Sequence, residues 1–206
     1  MIQRSKRSLK LATRIEGGNL KEDLNEILIA GKVTRSKGWP PKEGQQWTNG
    51  SVSIETDNGS VVEASVKLTV DSRRNDLKDF EDVLARGNEV LVVAHMGSYT
   101  KAGDTHHKVE VSNLGKVMKV TGAQQNQATV TGRIKKKATR GDGGNGLILE
   151  SLYRVKEEWR TREIKVLAPA GVPDHNAGVE DKILVLGKVR TGEKGPYVEA
   201  RSLNRI

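Results

Sequence analysis

From residue 25 the chain alternates. Ile27, Ile29, Gly31 and Val33 fall on one face of an extended segment, with Leu28, Ala30, Lys32 and Thr34 on the other. That period of two is the mark of a strand with one buried side. About a hundred residues later the pattern returns. Asn25-Glu26-Ile27-Leu28-Ile29-Ala30-Gly31-Lys32-Val33 is answered by Asn126-Gln127-Ala128-Thr129-Val130-Thr131-Gly132-Arg133-Ile134. Asn49-Gly50 before Val52 matches Asn145-Gly146 before Leu147, and Val90-Leu91-Val92-Val93 matches Ile183-Leu184-Val185-Leu186. Val109-Glu110-Val111 with Leu114 is matched by Val198-Glu199-Ala200 with Leu203. The order holds across both halves, so one small β unit is used twice.

In the first unit a polar loop is expected over 35–48. A hairpin over 52–54 and 61–70 follows, turning at Asp57-Asn58-Gly59, where Asn-Gly supplies positive φ angles. Over 75–86 the period changes. Leu77, Phe80, Val83 and Leu84 recur every three to four residues, which predicts a short amphipathic helix with Phe80 in the core. Asn75 or Asp76 would cap it and Gly87 would stop it. Strands over 89–95 and 108–112 flank a polar tip at 97–105. Five strands with a helix between the third and fourth is the order of the OB-fold, a small Greek-key barrel. The second unit repeats the strands at 128–136, 146–153, 159–167, 182–190 and 196–202. Its helix is missing, because Ala168-Pro169-Ala170-Gly171-Val172-Pro173 cannot form one. The expected fold is therefore all-β: two tandem OB-fold barrels, with the short helix in the first only. The expected division is a basic N-terminal arm at 1–24, one barrel at 25–120 and a second at 121–206, with a short link at 121–125.

Composition narrows the function. The chain has 206 residues, 30% of them charged, and no cysteine, so disulfides and thiolate metal sites are out and a reducing compartment is favoured. No apolar run is long enough to span a bilayer, and the basic N-terminus lacks the apolar core of a secretory signal. A cytoplasmic location is expected. The net charge of +9 is uneven. Residues 1–25 carry six basic against three acidic side chains, residues 26–120 thirteen of each, and residues 121–206 sixteen against ten. A basic arm and a basic second half point to a polyanion, most simply nucleic acid, although basic charge also serves plain solubility. Chemistry is not in view. His95, His106, His107 and His175 show no ligand spacing with carboxylates, and no nucleophile elbow or cofactor fingerprint is present. The glycine run at 141–146 is no P-loop, since no Gly-Lys-Ser/Thr follows. A protein without catalysis, metal or cofactor is expected.

Several of these segments resemble the bacterial- and phage-type single-stranded-DNA-binding proteins. The Asn-x-apolar-x-apolar-x-Gly opening is similar to the family's first strand, and Leu84-Ala85-Arg86-Gly87-Asn88-Glu89-Val90-Leu91-Val92 to its entry into strand four. Val185-Leu186-Gly187-Lys188-Val189-Arg190-Thr191 resembles that fourth strand, Tyr197-Val198-Glu199 the fifth, and Glu158-Trp159 the start of the third. The resemblance covers most of both units. It implies coating of single-stranded DNA during replication, recombination or repair, in bacteria or in a host cell if phage-encoded. It departs from the family twice. The chain ends at Leu203-Asn204-Arg205-Ile206 and not in an acidic tail, which puts tail-dependent recruitment of partners in doubt. Two barrels stand where the family usually has one, so a homodimer would supply four. An RNA-binding OB protein and an assembly module of a replication or RNA-processing complex are the alternatives.

Binding single strands without sequence preference needs cations along the phosphates and flat rings for the bases. Aromatics are only 3% of the chain, so their positions carry weight. Trp39 and Trp47 fall in the expected first loop and Tyr99 in the tip between strands four and five, the two loops with which OB-folds grip oligonucleotides; Lys101 shares that tip. Tyr99 and Trp159 fall near where the family places stacking tryptophans. Trp39 could instead pack over a barrel end, Trp159 could be core, and Tyr153 and Tyr197 could be cross-strand packing. Among the cations, Lys32 and Arg133 are equivalent. Arg35 and Lys37 extend the first set, and Lys135, Lys136, Lys137 and Arg140 the second, with the latter leading into a flexible basic hairpin. Arg154, Arg160, Arg162, Arg190 and Lys194 complete the candidate nucleic-acid-binding set, part of which is ordinary surface.

Overall fold

The alternation of the first segment is realised as burial: Ile27, Ile29 and Val33 are at most 1% exposed, and Ala128, Val130 and Ile134 match them in the second unit. The computed structural model describes residues 22–70, 73, 75–173, 176–193 and 195–206. The first unit contains β1 (Asn25–Gly38), β2 (Trp47–Glu55), β3 (Val61–Thr69), α1 (Asp76–Val83), β4 (Glu89–Lys101), β5 (Asp104–Val111) and β6 (Val117–Lys119). The second contains β7 (Gln125–Thr139), β8 (Asn145–Val155), β9 (Glu158–Ala168), β10 (Lys182–Gly192) and β11 (Gly195–Arg205). The first five strands pair in the order β1-β2-β3-β5-β4 and close through β1–β4; the second set pairs as β7-β8-β9-β11-β10 and closes through β10–β7. The pairings β3–β5 and β9–β11 are parallel. Both units are OB-fold barrels.

The barrels share a sheet. β1 pairs antiparallel with β7, and Ile27 lies opposite Ala128, its counterpart in the repeat. A local two-fold axis therefore runs between the units. Each unit opens with an asparagine for a reason visible here. Beyond Ile27 the main chain of β1 no longer pairs with β4, and the Asn25 side chain takes over the ladder. Its amide donates to the Met96 carbonyl and accepts from the Met96 N–H, both at 2.8 Å. Asn126 does the same for Val189, at 2.9 and 2.8 Å. The glycine of the motif answers a steric demand, because a Cβ at Gly31 would lie 2.0 Å from the Glu55 carbonyl oxygen.

The helix forms as expected. Asn75 caps it by accepting from the Leu77 N–H at 3.2 Å, and the Phe80 ring rests where a Cβ on Gly50 would stand. No helix forms among the described residues of 169–181, where Ala177 and Val172 cover the core instead.

Four expectations need correction. The first loop spans only 39–46, since β1 runs on to Gly38 and β2 begins at Trp47. The polar tip is mostly strand: β4 and β5 continue to Lys101 and Asp104 and turn at Ala102-Gly103, both at positive φ. Its strands project past the barrel and bury no regular face, so apolar periodicity gives no sign of them. β6 was not foreseen; its three residues are too few to show a period. The N-terminal segment is bound by its last residues, as Asp23 and Leu24 hydrogen-bond to Leu152 and Thr131 of the second barrel. The rest of the expected arm, residues 1–21, lies outside the described residues, as do Lys194 and His175.

Candidate nucleic-acid interface

In the first barrel the outward residues of four strands form one face. Crossing the sheet, Ser51 of β2 stands opposite Ser65 of β3, Ser65 opposite Glu110 of β5, and Glu110 opposite His95 of β4. On one side of this row Trp47 is 44% exposed, with the Lys67 ammonium 5.3 Å from its ring centroid. On the other Tyr99 is 46% exposed, stacked on His106 at 5.3 Å and carrying the Lys108 ammonium, also at 5.3 Å. Trp39, in the β1–β2 loop, lies beneath Lys37. Small hydroxyls thus form a floor between exposed rings.

An acid sits within this face. Glu110 is held by Lys108 at 2.8 Å and His95 at 3.5 Å. The His95 and Lys108 hydrogen bonds outweigh burial and lower its pKa to about 2. Glu199 occupies the equivalent place in the second barrel and accepts from Arg190.

The second barrel presents its rings differently. Beyond Glu150 and Glu163, β8 and β9 continue as an arm. Tyr153 stands opposite Arg160, and Arg154 opposite Trp159, so alternation puts Tyr153 on one side of the arm and Trp159 on the other. Trp159 is 45% exposed under the Arg154 guanidinium, 5.9 Å from the ring centroid. The Arg162 guanidinium lies much closer to Tyr153, at 3.6 Å. Tyr197 carries Lys165 at 5.8 Å. All six Trp and Tyr rings therefore have a cation over them, a contact worth roughly 0.5–1 kcal/mol where exposed.

The two hairpins meet. The Glu163 N–H donates to the Ser98 hydroxyl at 3.0 Å, and Arg162 Nη1 donates to the Met96 carbonyl at 3.3 Å. His107 is half-buried in the same seam, and burial lowers its pKa. A second seam lies on the other side of the two-fold axis, where Lys188 pairs with Asp57 at 3.0 Å and Thr191 donates to the Val61 carbonyl at 3.1 Å. Asp23, its side chain only 5% exposed, meets Lys182 at 2.8 Å and adds a third tie.

The expected cations divide. Lys32, Arg35, Lys101 and Lys136 are exposed. Arg133 pairs with Glu180, Lys135 with Glu163, Arg140 with Asp142 and Arg160 with Glu158. Lys137 donates to the Ala177 carbonyl, and Arg190 holds Glu199 and Ser60 in the second seam. After Lys137 the hairpin turns with the Arg140 N–H donating to the Gly144 carbonyl at 2.8 Å. Trp39 is 41% exposed, and Trp159, at 45%, is not core. Lys67, Lys108 and Lys165 were missed. For Lys67 a signal existed, because the Asp57-Asn58-Gly59 turn fixes the hairpin register and puts it diagonal to Trp47.

Among the described residues no group of three or more His, Asp or Glu could hold a metal, and no helix is long and apolar enough to cross a membrane. No family model matches the sequence, and no curated protein matches it. Solved structures do match. The wild-type single-stranded DNA binding protein of Thermus aquaticus superposes with a TM-score of 0.65 at 16% identity, over 90% of this chain and 94% of that one. A deletion mutant of that protein gives 0.65 at 17%, over 91% and 96%. At such identity the likeness is one of fold, and it extends through both barrels.

Proposed function

We propose that this protein binds and coats single-stranded DNA without catalysis. The observation that carries the reading is that every tryptophan and tyrosine has a lysine or arginine over its ring, with three tryptophans and Tyr99 over 40% exposed. Rings for the bases beside cations for the phosphates are what sequence-tolerant single-strand binding requires, and Lys37, Lys67 and Arg154 are exposed to meet them. Coating in replication, recombination or repair would hold separated strands open by binding energy alone. The site comprises Trp39, Trp47, Tyr99, Tyr153, Trp159 and Tyr197 with the exposed cations around them, in both barrels.

A homodimer of four barrels fits the outer side of the shared sheet. There Leu28 of β1, Leu91 and Val93 of β4, and Leu184 and Leu186 of β10 point outward, and Leu186 is 38% exposed. An apolar row on a sheet's outer face favours a partner sheet. The same row supports the second reading, an assembly module for another protein.

The deciding experiment is a titration with a dT oligonucleotide of about 35 nucleotides, followed by tryptophan fluorescence at several salt concentrations, with duplex DNA and matched RNA alongside. Quenching by the single strand, weakening steeply as salt rises, is expected. Equal or tighter binding of the RNA would move the function to RNA. No binding at low salt would leave assembly as the function, and light scattering would give the oligomeric state.

A further inference from the structure

Arg162 differs from the other arginines of its arm. Arg154 and Arg160 are exposed, whereas Arg162 is half-buried, and burial lowers its pKa. Its Nη1 donates to the Met96 carbonyl of the first barrel, an oxygen that already accepts from Asn25. Its guanidinium carbon lies 3.6 Å from the Tyr153 ring centroid, the spacing of planes in contact. Its Nε is buried without a hydrogen-bond partner among the described residues, and so is Oγ of Ser151, directly across the ladder. The arm itself therefore gives this guanidinium no hydrogen bond. It is held by the tyrosine ring and by the first barrel.

Such a group is poorly placed to meet a phosphate, which needs free N–H donors turned to solvent. It is well placed to fix a ring. A tyrosine has two faces, and Arg162 covers one of them.

We propose that Tyr153 and Arg162 form a nucleobase subsite at the seam, with Tyr153 stacking an unpaired base and Arg162 acting as a positioning residue anchored on Met96. The proposal rests on the single-strand-binding reading and deepens it. The subsite belongs to the second barrel but takes its geometry from the first, so it is complete only while the barrels are docked. The bond from the Glu163 N–H to Ser98 is the neighbouring tie that keeps them so. One strand would then be read across both barrels as a single site.

The test is a double-mutant cycle on the full chain, using the same dT oligonucleotide with tryptophan fluorescence as reporter. Tyr153→Ala is expected to weaken binding by about 5- to 150-fold, the range for one lost stacking contact. Arg162→Gln is expected to weaken it by roughly tenfold, while the Arg162→Gln/Tyr153→Ala pair binds no worse than Tyr153→Ala alone. The slope of log affinity against log salt stays at the wild-type value in Arg162→Gln. Multiplying effects, or a slope smaller by about 0.7, would make Arg162 a phosphate contact and overturn the proposal. A general loss of structure would also multiply with Tyr153→Ala, so additivity cannot be mistaken for positioning. If circular dichroism shows Arg162→Gln unfolded, Arg162→Lys, which keeps charge but not the flat stack, is read through the same cycle. Wild-type protein that ignores the oligonucleotide would reject the functional reading itself; a binding wild type with an additive cycle rejects only this subsite.

Discussion

Between β2 and β3 the first barrel turns at Asp57–Gly59, directly after the pair Glu55 and Val61. At the equivalent place the second barrel adds five more rungs, from Ser151 opposite Arg162 to Val155 opposite Glu158, before it turns at Lys156. The short turn is used up in docking: Asp57 takes Lys188 and Ser60 takes Arg190. The long arm has no barrel beneath most of it. Both its faces are therefore free for side chains that a core would not accept, and it carries Tyr153 on one and Trp159 on the other. A duplicated unit kept its core and diverged at its hairpins, where added length costs little buried area. The first barrel lengthened β4 and β5 instead, which brings Tyr99 clear of the barrel. The two extended hairpins meet at the seam.

Exchanging the arm for the short turn, with 151–162 replaced by the residues 56–60, makes the second barrel end as the first does. Two aromatic contacts are lost, and single-strand affinity is expected to fall by a factor of about a hundred or more, while the same oligonucleotide still quenches the remaining tryptophans. Undiminished affinity would take the arm, with Tyr153 and Trp159, out of the site.

Next come the paired glycines. A Cβ at Gly31 meets the Glu55 carbonyl oxygen at 2.0 Å, but at Gly132 it meets the Glu150 oxygen at 2.8 Å. Gly31→Ala should cost about 3 kcal/mol and Gly132→Ala about 1 kcal/mol, read by denaturant unfolding. Equal costs would mean that the two barrels relax alike. The opening asparagines sharpen the contrast further. Asn126 is 5% exposed and its hydrogen bonds are buried, so Asn126→Ala should cost about 2 kcal/mol by leaving Val189 groups unpaired; Asn25→Ala, in a wetter setting, should cost about 1 kcal/mol.

The smallest effect is one of pH, and it belongs to the first barrel's hairpin. Burial lowers the pKa of His107 from its ordinary 6.5, so the unfolded chain takes up that proton first. The stability it contributes is present above 6.5 and is lost as the pH falls below it. Glu110, lowered to about 2 by its bonds to His95 and Lys108, contributes stability that is present above 4.5 and lost as the pH falls towards 2. Thermal melts should therefore weaken in two stages on acidification, and His107→Asn should flatten the first. A melting temperature constant from pH 7 to 5 would show that the seam does not depend on neutral His107.

Much of the fold was legible because burial leaves a period. Ile27, Ile29 and Val33, their counterparts Val130 and Ile134, and the Leu77–Phe80 spacing each announce a buried face, and the repeat shows that it is built twice. The tip over 97–105 reads as a loop for the same reason, because strands outside a barrel have no face to bury and Tyr99 shows no period.

The two cores, the helix of the first barrel and its absence in the second are readable from residue order, because burial along a strand or helix is periodic. Which cations cover which rings, and that Arg162, Arg190 and Asp23 tie the barrels together, emerges only once the chain is folded. Those contacts join residues far apart along the chain, such as Asp23 with Lys182 and Ser60 with Arg190. They depend on two closed barrels meeting about an axis, and no local period records that.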